Sequence, residues 1–186
     1  MNAKYQIPPP RVEVVVTKLH RSILDHIPTK EVSTLVIVEE FYNRGDDLTF
    51  QRQYDLTQLE NGRIKGKPRK IALIKMVPEF QRIDFGFTHI NELRKILEFT
   101  NYKRLGMLTQ IKTCFMIADD LIEIPIALSE TNELGVFLEI GFTTGPISNI
   151  QQLLRGLQST LGIQQEWLQS NSYPDLLSAR TVGVAQ

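Results

Sequence analysis

The feature that most constrains the fold of this chain is a series of short stretches in which apolar and polar residues alternate. Successive side chains of a β-strand point to opposite faces of a sheet, so a period of two is typical of strands with one apolar and one polar face. In residues 132–142, Val136, Leu138 and Ile140 share one predicted face and Glu139 lies on the other. Eight stretches of this kind are predicted as strands: 11–16, 33–42, 48–56, 70–76, 80–87, 108–117, 121–129 and 132–142.

Two longer stretches have a helical period instead. Residues 90–99 place Ile90, Leu93, Ile96 and Leu97 on one side of a predicted helix, and residues 148–162 carry a leucine stripe that ends at Gly162. A flat sheet of eight strands would leave two exposed edges, and closure of the sheet removes them. The pattern therefore predicts an α+β fold, with about eight antiparallel strands in a barrel or highly curved sheet and helices outside it.

The sequence predicts one domain between a short N-terminal arm and a C-terminal tail. Residues 1–10 end in Pro8–Pro10 and are predicted as an extended N-terminal arm. A single domain is predicted over residues 11–177, and residues 178–186 are predicted as a C-terminal tail.

Composition excludes several classes of protein. The chain has 21 Lys and Arg residues and 21 Asp and Glu residues, a balance that argues against a nucleic-acid or membrane-surface partner. Cys114 is the single cysteine, so neither an intrachain disulfide nor a cysteine-based zinc site is expected. The sequence contains neither a run of about 18 apolar residues nor a signal-peptide core, and this predicts a cytoplasmic protein.

Charged and polar residues recur on the polar faces of the predicted strands. If the apolar faces pack under external helices, these polar faces line an interior that must be paired, hydrated or bound to a ligand. Charges of both signs suit an anionic, metal-bound ligand. The alternative is a polar face in solvent, which is the commoner case for antiparallel sheets. The predicted interior residues are Arg11, Glu13, Thr49, Gln51, Gln53, Lys75, Arg82, Asp84, Gln110, Lys112, Cys114, Glu123, Ser129 and Glu139.

The order and spacing of these elements, from about Arg11 to Leu177, resemble the CYTH family, also called triphosphate tunnel metalloenzymes. That family includes class IV adenylate cyclases, thiamine triphosphatases and inorganic triphosphatases. The segment from Ile90 to Phe142 carries most of the resemblance: a helix, a strand with a basic residue, a turn, an apolar strand and then "ELGVFLEI". This last motif is similar to the family's leucine-glycine turn and acidic strand, and "SYPDLL" is similar to its closing element.

The resemblance implies that residues 11–177 form an antiparallel eight-stranded tunnel-like β-barrel with external helices. It also implies a triphosphate or nucleotide ligand, with Mg²⁺ or Mn²⁺ as cofactor if the site is active. Carried over residue by residue, it assigns phosphate binding to Lys75, Arg82 and Lys112. It assigns metal binding to Glu13, in the first place of the family's Glu-x-Glu-x-Lys signature, and to Glu139. It gives Asp84 the catalytic role, which is to orient a basic neighbour or activate water.

Six positions lack the acidic or basic residue of the family pattern: Val15, Thr17, Thr49, Gln51, Ser129 and Gly141. Loss of a planar arginine pair and of carboxylates weakens phosphate and Mg²⁺ binding, on which phosphoryl transfer depends. Two functions therefore remain open. One is a metal-dependent triphosphatase, adenylate cyclase-like enzyme or phosphate binder, and the other is a catalytically inactive CYTH-like protein that serves as a protein-interaction or assembly subunit.

Overall fold

The computed structural model of the chain describes residues 3–21, 29–45, 47–75, 81–85, 90–118, 123–141 and 155–183. Within these ranges the α-helices are α1 (Pro9–His20), α2 (Ile90–Phe99), α3 (155–161) and α4 (Tyr173–Gly183). The strands are β1 (Ala3–Ile7), β2 (Thr29–Asn43), β3 (Asp47–Asp55), β4 (Leu59–Glu60), β5 (Arg63–Ile64), β6 (Lys70–Lys75), β7 (Gln81–Phe85), β8 (Lys103–Ala118), β9 (Glu123–Thr131) and β10 (Gly135–Ile140).

Eight of these strands form one sheet in the order β1-β10-β9-β8-β2-β3-β6-β7, and β4 pairs with β5 in a separate small sheet. The described ladders of the large sheet are antiparallel. The predicted α+β fold with an eight-stranded antiparallel sheet is therefore confirmed. Its closure into a barrel is not: within the described ranges, β1 and β7 stand at opposite ends of a linear order, and closure would require a ladder between them.

The first predicted strand, residues 11–16, is wrong, because these residues belong to helix α1. Pro9 and Pro10 occupy the first two helical positions, where the fixed φ of proline suits a helix and its missing N–H is not needed. Val15 and Leu19 lie four residues apart on one side of the helix, and each is about 1% exposed. The valine-rich stretch thus satisfies a helical period as well as a period of two, and burial selects the helix.

The sheet position predicted for residues 11–16 belongs to β1, within the predicted arm. Over their described residues, the other seven predicted strands and the helix at 90–99 are confirmed, with described boundaries that differ by a few residues. The predicted strand ends at 76, 80, 86–87, 121–122 and 142 lie outside the described residues. The helix predicted at 148–162 is confirmed over 155–161, and residues 148–154 lie outside the described residues. Helix α4 continues to Gly183, so residues 178–183 of the predicted tail are helical.

Contacts divide the chain into two compact units. The first unit comprises Met1–Thr34, Lys112–Thr131 and Gly135–Ser170. Its core contains the alternate apolar residues of β1 and β10, which are paired in register as Tyr5 with Leu138 and Ile7 with Val136. Residues Leu157 and Leu161 of α3 and Val15 and Leu19 of α1 pack into the same core. The amide of Gln158 donates a hydrogen bond of 2.6 Å to Tyr5 Oη.

The second unit comprises Leu35–Ile111, Asn132–Leu134 and Asn171–Gln186. Helix α2 packs on one face of its strands, where Leu97 joins Tyr42, Phe50 and Ile71 in a buried cluster. This is the face that the apolar stripe of residues 90–99 predicts for Ile90, Leu93 and Leu97. Ile96 was predicted on the same face but is 57% exposed. In the described ranges, each helix is too short or too polar to span a bilayer.

Candidate functional site

The polar face of the first unit brings together two residues that the sequence assigns to different ligands. Lys112 on β8 donates a hydrogen bond of 2.7 Å from Nζ to Oε2 of Glu139 on β10. Strand β9 lies between them in the sheet, and its residue opposite Glu139 is Ala127, whose small side chain leaves room for this contact. Both charged side chains are 22% exposed, so the pair is largely shielded from bulk water.

The other oxygen of Glu139 has a partner on β9. The hydroxyl of Ser129, which is fully buried, donates a hydrogen bond of 3.3 Å to Glu139 Oε1. Glu123, the acidic residue at the start of β9, is exposed and lies four residues from Ala127, about 13 Å along an extended strand. Glu139 is therefore the carboxylate at the centre of this polar face, and both of its oxygens accept hydrogen bonds from the protein.

Strand β1 adds a second ammonium group, which the sequence analysis missed because it treated residues 1–10 as an arm. Lys4 pairs directly with Glu139 across the β1–β10 ladder, and directly paired residues share a face of the sheet. Its Nζ lies 5.7 Å from the ring centroid of Phe137. Gln6 occupies the next position on this face, so β1 contributes an ammonium and an amide here and no carboxylate. The signal that could have found β1 is the alternation of Tyr5 and Ile7 with these polar residues.

Glu13, the other predicted metal ligand, lies on the exposed side of helix α1 and not on a sheet strand. Its assignment depended on a strand at residues 11–16, and that premise is wrong. The structure thus brings together Lys112 and Glu139 of the predicted set, and it gives Glu13 no place on the polar face of the sheet.

In the second unit, one row of paired residues crosses four strands: Glu39, Gln51, Ala72 and Asp84. The carboxylate of Glu39 accepts hydrogen bonds from two amides, Gln51 Nε2 at 2.8 Å and Gln110 Nε2 at 3.0 Å. Gln53 donates a further bond of 3.0 Å to Gln51 Oε1. Gln51 stands where the resemblance implies an arginine, so neutral amides replace the guanidinium groups that suit phosphate. Sequence reasoning missed Glu39.

Arg82 and Asp84 lie on β7, whose five residues are all exposed. Arg82 Nε donates a hydrogen bond of 2.9 Å to Asp84 Oδ1, and Lys70 Nζ lies 3.4 Å from Oδ2. Desolvation favours the neutral acid, but the hydrogen bond and charge of Arg82, followed by those of Lys70, lower the pKa of Asp84. A carboxylate with a lowered pKa is a weak general base. This geometry favours the orienting role of Asp84 over the activation of water.

Lys75 lies on the opposite face of the sheet from Arg82. Arg82 pairs with Ile74, and adjacent residues of a strand point to opposite faces. Lys75 instead pairs with Leu48, a member of the apolar cluster under helix α2. The structure therefore separates two residues that the sequence assigns to one phosphate site.

A cluster of charged residues under helix α2 escaped the sequence analysis. Glu40 is fully buried, and its carboxylate contacts Arg52 Nη2 at 2.5 Å, Arg104 Nε at 3.6 Å, and both Nε and Nη2 of Arg94. Burial raises the pKa of Glu40, but the hydrogen bond from Arg94 and the charges of Arg52 and Arg94 outweigh burial, so the pKa is lowered. Tyr42 Oη donates a further bond of 3.1 Å. The sequence signal was Glu39-Glu40 in an apolar strand, where adjacent residues must face opposite sides.

The described side chains can be compared with the ligands that Mg²⁺ or Mn²⁺, the ions that the resemblance implies, would require. In the part of the chain that the structure describes, no three His, Cys, Asp or Glu side chains are grouped as they would be around a metal ion. Glu39 and Asp84 share a row but stand three strand spacings apart, about 14 Å. A metal ion at Glu139 would have to displace Lys112, an ammonium 2.7 Å away. The described residues do not fit a resident divalent metal.

Comparison of the structure with solved structures identifies its fold. The PH1819 protein of Pyrococcus horikoshii superposes with a TM-score of 0.68 over 99% of each chain, at 14% sequence identity. A candidate adenylate cyclase from Vibrio parahaemolyticus gives 0.65 over 96% of this chain and 97% of its own, at 13% identity. The candidate adenylyl cyclase HpAC1 from Hippeastrum, described as having a dominant triphosphatase activity, gives 0.60 over 97% and 96%, at 11% identity.

These similarities confirm the resemblance at the level of fold: the chain has the CYTH, or triphosphate tunnel, fold. Sequence comparison adds nothing to this, because no family model matches the chain and no curated protein matches it significantly. At 11–14% identity the similarity is one of fold, and ligand and activity have to be argued from the side chains of this chain.

Proposed function

We propose that this chain binds the phosphate chain of a triphosphate or nucleotide on the polar face of its first unit, with Lys4 and Lys112 as the cationic groups. The observation that carries the proposal is that Lys112 contacts Glu139 and that Lys4 pairs with Glu139 across the β1–β10 ladder, on a sheet of the triphosphate tunnel fold. The group has one net positive charge, and the two paired side chains are only 22% exposed. Shielding from water strengthens the attraction between an ammonium and a phosphate oxygen.

Calorimetry with tripolyphosphate tests this proposal. Lys112→Met removes the ammonium and keeps an unbranched side chain, and we expect it to weaken binding about tenfold or more, as for loss of a charge-assisted hydrogen bond. Lys95→Met is the matched control, because Lys95 lies on the exposed side of α2 in the second unit. Equal affinities of wild type and Lys112→Met, or equal losses in both variants, would refute binding at this site.

A second candidate function, a catalytically inactive subunit of a protein assembly, is favoured by two observations. Lys4 and Gln6 are the residues of β1 on this face, so among the described residues β1 does not supply the second carboxylate that a metal-dependent phosphotransfer site would place beside Glu139. Helix α2 carries two exposed apolar side chains, Ile96 at 57% and Phe99 at 89%. They lie three residues apart and therefore share a side of the helix, which is the surface that the assembly function would use.

An activity assay separates turnover from binding alone. Wild type and Glu139→Ala are incubated with tripolyphosphate, ATP and thiamine triphosphate in Mg²⁺ or Mn²⁺, and released phosphate and cyclic AMP are measured. We expect the two proteins to release the same amounts of phosphate and cyclic AMP, because Glu139 is bound to Lys112. Turnover by wild type that Glu139→Ala abolishes would establish an enzyme.

Size exclusion of a native extract tests the assembly function. Elution of the protein as a free monomer would count against it.

A further inference from the structure

The contact between Lys112 and Glu139 occupies the position at which this site could hold a metal ion. A divalent cation that bridges a carboxylate and a phosphate neutralises the carboxylate and presents positive charge to the phosphate oxygens. An ammonium group 2.7 Å from Glu139 Oε2 can do both, because it carries a positive charge and three N–H donors. Lysine is an established phosphate-binding group in proteins, acting as a point charge.

We infer that the ammonium of Lys112 takes the place of a divalent cation at this site, so that the chain binds phosphate groups without metal. This inference rests on the proposed function for the identity of the ligand. It concerns free, metal-unbound polyphosphate as the ligand class, in contrast to the metal complex that the family resemblance implies.

Three features of the site oppose metal entry while Lys112 is present. Both oxygens of Glu139 already accept hydrogen bonds, one from Lys112 and one from the buried Ser129. Lys4 lies directly opposite Glu139 on β1, so a metal ion would meet a second positive charge. The pair is largely shielded, and repulsion between like charges is stronger in such surroundings than in water.

The same geometry predicts that removal of the ammonium would create a metal site. In Lys112→Met, Glu139 loses its contact with Lys112, while Ser129 still orients one of its oxygens and Lys4 remains opposite it on β1. Loss of the closer ammonium leaves partly buried negative charge less compensated, and carboxylate oxygens are preferred ligands of Mn²⁺ and Mg²⁺. Titration of Mn²⁺ followed by electron paramagnetic resonance reports binding without any assay of activity.

We expect wild type to bind Mn²⁺ at least about tenfold more weakly than Lys112→Met, a difference of about 1.4 kcal/mol. The double variant Lys112→Met with Glu139→Gln should lose the tighter Mn²⁺ binding of Lys112→Met, because the carboxylate of Glu139 is the group that would bind the Mn²⁺. Lys112→Gln is a second single variant, and circular dichroism identifies any variant that does not fold. Mn²⁺ binding by wild type that Glu139→Gln abolishes, or no gain in either folded Lys112 variant, would overturn the inference.

Calorimetry with tripolyphosphate completes the test. In EDTA we expect wild type to bind it with an affinity within about tenfold of that in Mg²⁺, or about 1.4 kcal/mol. A wild type that binds only when Mg²⁺ is present overturns metal-free binding and leaves the proposed function standing. A wild type that binds under neither condition refutes the proposed function, whereas the Mn²⁺ titration still decides whether Lys112 excludes a metal ion from Glu139.

Discussion

Replacing Glu40 with glutamine keeps the size of the side chain and removes the negative charge that Arg52, Arg94 and Arg104 share. The Glu40 side chain is 0% exposed, and that of Arg52 is 12% exposed. Arg94 and Arg104 are more open, at 32% and 50%. Arg94 comes from α2 and Glu40 from β2, so this cluster helps to fasten the helix to the sheet within the second unit.

The expected loss of stability follows from how much of this cluster is buried. Removing one partner of a buried ion pair costs about 3–5 kcal/mol, because the other charge is left without compensation. Exposed pairs are worth only about 0–1 kcal/mol, and the more open Arg94 and Arg104 can be hydrated in the variant. We therefore expect Glu40→Gln to cost about 3 kcal/mol, near the lower end of the range for buried pairs. For a chain of this length that corresponds to a fall in Tm of roughly 6–12 °C.

Urea denaturation followed by circular dichroism at pH 7 measures the free energy of unfolding of both proteins. The matched control is Glu60→Gln, whose exposed pair with Lys65 should contribute less than about 1 kcal/mol. The two comparisons require similar m-values, because m reports the surface exposed on unfolding. A Glu40→Gln variant within about 1 kcal/mol of wild type, or no less stable than Glu60→Gln, would refute the assignment of Glu40 as a buried structural charge.

Two further predictions concern pH and the apolar core. The pKa of Glu40 is lowered in the folded protein. The contribution of its carboxylate to the free energy of unfolding is therefore complete above the ordinary pKa of glutamate and is lost as pH falls through the lowered pKa of the folded state. The stability gap between wild type and Glu40→Gln, measured by urea denaturation, should narrow from pH 7 to about pH 3, and a constant gap would contradict this. Leu138→Ala should cost about 2–5 kcal/mol, because Leu138 is fully buried in the first unit's core. Leu105→Ala, at a position 49% exposed, should cost less than about 1 kcal/mol, and equal losses would contradict the assigned core.

Local periodicity in the sequence, of two residues for strands and about 3.6 for helices, was sufficient to predict most of the elements. Helix α2 matches the predicted residues 90–99, and β10 contains the predicted alternation of Leu138 and Glu139. Residues 11–16 were assigned wrongly because their valines fit both periods. The decision between helix and strand came from the burial of Val15 and Leu19 together, which depends on segments distant in the chain.

The candidate site could be predicted only in part. The alternation in β10 determined that Glu139 faces away from Leu138 and Ile140, and the acidic residues of β2 determined that either Glu39 or Glu40 must lie on the apolar face. Neither pattern indicates which basic residue contacts each carboxylate. Lys112 lies 27 residues from Glu139, and Arg94 lies 54 residues from Glu40, and strand order and helix packing bring each pair together.

By itself, the sequence determined which residues share a face within each confirmed strand, the α2 helix and the lone carboxylate of β10, because these depend on the period of neighbouring residues. Only the tertiary structure decided which groups they contact. The ladder that pairs Ile74 with Arg82 places Lys75 on the opposite face, and the order of β8, β9 and β10 sets an ammonium against Glu139. Register and strand order depend on contacts between residues far apart in the chain, and a local pattern does not contain them.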